Sequence, residues 1–101
     1  MATRLEYKTF ADNLHSKFRI HVDDSATVES ELTEVSEHLL STRQERFAIV
    51  FRGPSDVFLD QGMRHLEHDS MGEFDLFLVP ISRDDKGFYY EAVFNRLVKP
   101  S

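Results

Sequence analysis

Residues 74–95, FDLFLVPISRDDKGFYYEAVFN, hold the densest apolar sequence in the chain, broken once by a polar tetrad that ends in glycine. They read as two strands joined by a tight turn. In 88–95, Phe88, Tyr90, Ala92 and Phe94 share one parity, and Tyr89, Glu91, Val93 and Asn95 share the other, the alternation of a half-buried strand. In 74–82 both parities are apolar, with Leu76, Leu78 and Pro80 on one and Phe77, Val79 and Ile81 on the other. That pattern implies a central strand covered on both sides, or nearly so.

The tetrad Asp84-Asp85-Lys86-Gly87 fits a type I turn closed by a left-handed glycine bulge. This sets Asp84 opposite Phe88, Pro80 opposite Ala92 and Leu78 opposite Phe94, with the even-numbered residues facing inward. A two-residue turn shifts the register by one and sets Phe77 opposite Phe94. The bulged register is preferred, with Gly87 at positive φ. Pro80 has no amide hydrogen, so its position must face an edge, a bulge or solvent.

The rest of the chain repeats this grammar. Residues 1–8 read as a flexible lead-in. Residues 9–15 suit a short helix capped by Thr9, with Asp12 completing a weak capping box and Phe10 and Leu14 on one face, plugging the end of a sheet. Residues 17–22 alternate, with Phe18, Ile20 and Val22 on the apolar side. Residues 27–35 form a second strand in which Val35 breaks the parity of Val28 and Leu32, so a bulge is expected near Thr33-Glu34. Its Glu29, Glu31 and Glu34, with Glu37 beyond, read as a solvated edge kept from pairing by charge rather than as a cation site.

Residues 36–46 lack a β period and read as a long charged connection. Residues 47–52 are a strand apolar on both parities, ended by Gly53-Pro54-Ser55-Asp56. Residues 57–60 cross over to a strand at 62–68, and Asp69-Ser70-Met71-Gly72 turns into the stretch described first. Residues 97–101 are a tail. Six short strands joined mostly by tight turns must pair antiparallel, because parallel neighbours need long crossovers. Residues 1–101 therefore form a single all-β domain, a small six-stranded antiparallel barrel or tight sandwich with a short N-terminal helix.

Composition narrows the function classes. The chain has 101 residues, enough for one core without staples. Cysteine is absent, which removes disulfides, thiol nucleophiles and thiolate zinc sites. The net charge is −6 and the basic residues are scattered, so no nucleic-acid partner is expected. No segment resembles a signal peptide or a membrane span, and the expected location is cytoplasmic, with no membrane partner. Of the five histidines, His65 and His68 are three apart, which on a strand points them to opposite faces. His65 and Glu67 share a face but lack a third ligand, so no metal is expected. His15, His21 and His38 are isolated. No nucleophile elbow, nucleotide-binding glycine loop or singled-out carboxylate pair is present. No catalytic residue and no cofactor are expected, and the reading is non-enzymatic.

One set of residues carries a resemblance: Phe51-Arg52-Gly53-Pro54, Gln61-Gly62, His68, Gly72, Phe74, the run from Leu76 to Ile81, and Tyr90-Glu91-Ala92-Val93-Phe94-Asn95-Arg96. The chain resembles a family of small bacterial domains of unknown function, with Met63 where the pattern has Tyr and Met71 where it has Leu. The resemblance implies association with phage-tail-like proteins and transfers no catalytic residue. Gln61, His68 and Asn95 are its polar members without an obvious packing role, and they are expected to hydrogen-bond loop backbone. The function expected is that of a structural or adaptor module acting by protein–protein interaction. The alternative is a small-molecule-binding barrel or enzyme with a pocket near His68 and the aromatic hairpin.

Overall fold

The computed structural model describes residues 6–36, 39–40 and 44–97. Most of the expected lead-in, the tail beyond Leu97, and 37–38 and 41–43 of the charged connection lie outside the described residues. Along the chain come α1 (Tyr7–Asp12), β1 (Lys17–His21), β2 (Thr27–Val35), β3 (Leu39–Leu40), β4 (Gln44–Gly53), β5 (Gly62–His68), β6 (Gly72–Asp84) and β7 (Gly87–Leu97). The sheet order is β2-β1-β5-β6-β7-β4, and β4 pairs back onto β2. The six long strands therefore form a closed antiparallel barrel, with β3 added to β4 where β2 has ended.

Closure corrects the reading of β2. It is not an edge: it pairs with β1 on one side and with β4 on the other. The bulge expected near Thr33-Glu34 is present, since the β2–β4 register shifts between Leu32 and Glu34. Among its acidic residues, Glu31 is held in a network, accepting hydrogen bonds from His15, Lys17 and Arg52 at 3.2–3.4 Å. The hydrogen bond with His15 first, then that with Lys17 and the charges of Arg52 and Lys17, hold its carboxyl below the ordinary range.

The inward parities follow the alternation. Phe18 and Ile20 of β1, Leu32 of β2, Phe47, Ile49 and Phe51 of β4, Leu66 of β5, Leu78 of β6 and Tyr90 of β7 are all fully buried. A six-stranded barrel is narrow enough for side chains of this size to fill it. One end is closed by α1. Six residues do not make a stable helix alone, and this one lacks a side-chain N-cap, since Glu6 rather than Thr9 precedes it. It is held by Phe10, whose ring lies 5.5–6.3 Å from those of Phe47, Phe74 and Phe94. Leu14 falls beyond the helix and is exposed. The other end is closed by the 54–61 crossing, which buries Leu59 and donates the Leu59 amide to the Tyr90 hydroxyl at 2.9 Å.

The β6–β7 hairpin departs from the preferred register. Asp84 faces Gly87, Arg83 faces Phe88 and Ser82 faces Tyr89, so the loop has two residues. Lys86 does not need positive φ, because the Asp84 carboxylate accepts from the amides of Lys86 and Gly87 and shapes the turn itself. The register then shifts between Pro80 and Ser82, and Pro80 faces Tyr90. This bulge restores the parity that the shorter turn removed. The even-numbered residues Phe74, Leu76, Leu78, Tyr90 and Ala92 are buried as expected, but through different partners. Phe94 lies opposite Phe47 of β4, with the rings stacked at 4.6 Å.

Gly87 has φ +156°, and a Cβ placed there would sit 1.9 Å from the carbonyl oxygen of Gly53. Close approach of two backbones is thus the reason for glycine at this position, and asparagine, acceptable in a left-handed bulge, is excluded with every other side chain. Gly87→Ala and Gly87→Asn should each lower stability by more than about 1 kcal/mol in denaturant melts. Phe10→Ala, which removes the plug from the helix end, should cost about 3–5 kcal/mol by the same measurement.

Candidate functional site

The outward parity of β5, β6 and β7 is not covered, contrary to the expectation for a strand apolar on both sides. Met63 is 64% exposed, Phe77 47% and Val93 53%. Met63 lies directly opposite Phe77, and Val93 lies opposite Ala48 of β4. Val79 faces Glu91, so Phe77 and Val93 each sit two residues along from that rung. Scattered apolar residues are normal on a surface; here they occupy successive strands.

The next two outward rungs toward the helix end are charged: His65 opposite Asp75, and Glu67 opposite Glu73. The His65 ring is clamped, with Nδ1 2.7 Å from Asp75 and Nε2 2.7 Å from Glu73. The two carboxylates, Glu73 first, push its pKa up, and both nitrogens donate when the ring is an imidazolium. His21 of β1 bonds Glu67 at 2.5 Å and lowers that carboxyl. Its ring stands 4.9 Å from that of His65. The exposed apolar strip is therefore flanked by a carboxylate-rich band in which the two imidazoles are already occupied. Among the described residues no three such side chains converge on a metal-holding arrangement.

His68 points the other way, as the strand parity of His65 and His68 requires. It is buried and sits 4.3 Å from the Phe18 ring. Its Nδ1 accepts from the amides of Ser70 and Met71 at 3.1 Å, so Nε2 carries the proton and donates to the Ser16 hydroxyl at 2.9 Å. Ser16 in turn donates to the Asn13 carbonyl. His68 thus ties the three-residue turn before Gly72 (φ +80°) to the chain leaving α1. Burial pushes its pKa down. Gln61 and Asn95 are exposed, one on the crossing and one on β7 beside Arg46 of β4. The structure does not bring these three together. His68 lies at the Gly72 end of β6, and the hairpin tip with Phe88 and Tyr89 lies at the Asp84 end.

A second surface lies at that tip. β5 pairs β6 no farther than Leu78, so 79–84 run on with β7 alone. The bulge turns Arg83 to the side of Phe88, its direct partner. Phe58, 54% exposed on the crossing, packs edge-on to Phe88 with ring centroids 5.2 Å apart. Phe58, Pro80, Ser82, Arg83 and Phe88 line a concavity of about 330 Å³. Neither Phe58 nor Arg83 carries a motif; the one signal that pointed here was a proline inside a strand.

Residues 5–94 match the model of the domain of unknown function DUF6916. The chain belongs to this family. No curated protein and no solved structure matches the DUF6916 chain. Its family description names no activity, so the resemblance to small domains of unknown function holds at that level. No helix among its described residues is long and apolar enough to cross a membrane.

The two histidine environments have opposite signatures. In an NMR titration, His65 should have its midpoint above the ordinary value of 6.5 and His68 below it. The stability from the raised His65 is present below its unfolded-state pKa and is lost as pH rises through its folded pKa. The neutral His68 contributes above its unfolded-state pKa, and that contribution is lost as pH falls toward its folded pKa. A His65 midpoint at or below 6.5, or a His68 midpoint at or above it, would contradict the respective assignment.

Proposed function

We propose that this chain is a non-enzymatic interaction module that binds another protein through the outside of its barrel. The partner class suggested by the family resemblance is a component of a phage-tail-like assembly in bacteria. The observation that carries the reading is the strip of Met63, Phe77 and Val93, three large apolar side chains about half exposed or more on successive strands. A surface that leaves them half in water forgoes roughly half of the 1.5–3 kcal/mol that full burial of each would give, and a docked protein would recover it. Such an apolar centre with a polar rim is the ordinary anatomy of an interface. The interior supports the same reading, because it holds large apolar side chains that are fully buried. His68, the polar residue of the alternative pocket, has both ring nitrogens engaged by the fold.

The experiment is affinity capture from the native host with the wild-type chain and with Phe77→Asp, followed by mass spectrometry. Phe77 is outward-facing and half exposed, so the variant should stay folded and lose no more than about 1 kcal/mol in a denaturant melt. A partner captured by the wild type should be lost with the variant. Capture of the same proteins in the same amounts by both would overturn the reading.

A further inference from the structure

We infer that the hairpin tip is a second docking site, for an extended segment of another protein that carries an acidic residue next to a bulky apolar one. The inference rests on the reading of the chain as an interaction module but uses a different surface. Three observations meet there. Residues 79–84 lie beyond the last β5 partner, and among the described residues no other element bonds their backbone. A strand flanked on one side only presents alternate N–H and C=O groups to an added strand. Beside this open edge, Phe58, Pro80 and Phe88 form an apolar concavity fit for one large side chain.

Arg83 supplies the charge selectivity. In a chain of net charge −6, it is exposed and lines this groove opposite Phe88, and among the described residues no carboxylate is paired to it. The carboxylate of the adjacent Asp84 is engaged elsewhere rather than paired with it. One Asp84 oxygen accepts from the amides of Lys86 and Gly87, and the other accepts from the Tyr89 hydroxyl at 2.8 Å. A guanidinium free to make two parallel bonds recognises a carboxylate with defined geometry. Pro80 lacks an amide hydrogen, which removes one rung from the edge and limits unselective pairing. The occupant is therefore recognised by its backbone, one apolar side chain and one carboxylate.

The test selects a displayed library of random peptides against the full chain and measures the winners by titration. Enriched peptides should carry Asp or Glu next to Phe, Leu, Ile or Tyr, and should shift amide resonances of 79–84. Arg83→Glu should weaken them about tenfold, the scale of one charge-assisted pair. Replacing the peptide acid with Lys should restore binding to that variant. Selection of no peptide, winners without acidic residues, or equal binding to wild type and Arg83→Glu would overturn the site. Phe77→Asp should leave peptide binding unchanged. Loss of the peptide result alone removes this groove, while loss of Phe77-dependent capture removes the module reading itself.

Discussion

The fold depends on one pairing, β2 with β4. Leu32 faces Phe51 across it and Val35 faces Ile49. Without that seam the sheet would be an open ribbon with β2 at one end, and Leu32, Ile49 and Phe51 would face water on the unclosed side. With it, the inward parities of six strands meet around one axis. Each large aliphatic or aromatic side chain buried there contributes about 1.5–3 kcal/mol before the entropy of ordering is set against it. The bulge between Leu32 and Glu34 belongs to this seam, because a bulge adds the local bend that closure needs. Two plugs complete the enclosure, Phe10 from the helix end and Leu59 from the crossing.

The closed barrel buries its large inward side chains, and what it offers to solvent is its outside. There the outward parity is unusual. His65 and the carboxylates Asp75, Glu67 and Glu73 occupy two rungs of β5 and β6, and Met63 with Phe77 occupies the rung beside them. The second bulge, at Ile81, has a different consequence. It keeps Leu78 and Tyr90 inside while turning Arg83 rather than Ser82 to the side of Phe88. One irregular residue thus sets both the core of the last hairpin and the chemistry of its tip.

Much of this was legible in the chain. The alternation of Phe18 and Ile20, the break at Val35 and the apolar runs of β4 and β6 mark the strands, and antiparallel pairing follows from the short turns. Three things were not. Acidic residues on β2 imitate a solvated edge, whereas Glu31 is spent on Arg52, Lys17 and His15. Apolar residues on both faces of β6 imitate a covered strand, whereas Phe77 and Ile81 remain in contact with water. The glycine after Lys86 takes the positive φ expected of it, but it does not close a left-handed bulge and is required by the Gly53 carbonyl, contributed by a strand far away in sequence. Each of these errors has one cause: local pattern reports a preference for strand and burial, not which neighbour provides it. Of the candidate polar residues, only the loop-bonding role of His68 could be matched to a geometry, because two amides two and three positions on make a local signature.

The central claim is that the barrel is closed through the β2–β4 seam. Native-state amide hydrogen exchange tests it at the seam. Amides of β2 and β4 that pair across 32–35 and 49–51 should be protected to the same degree as those joining β4 to β7. Exchange at the seam near the rate of unstructured chain, with β4–β7 still protected, would show an open sheet and contradict the account.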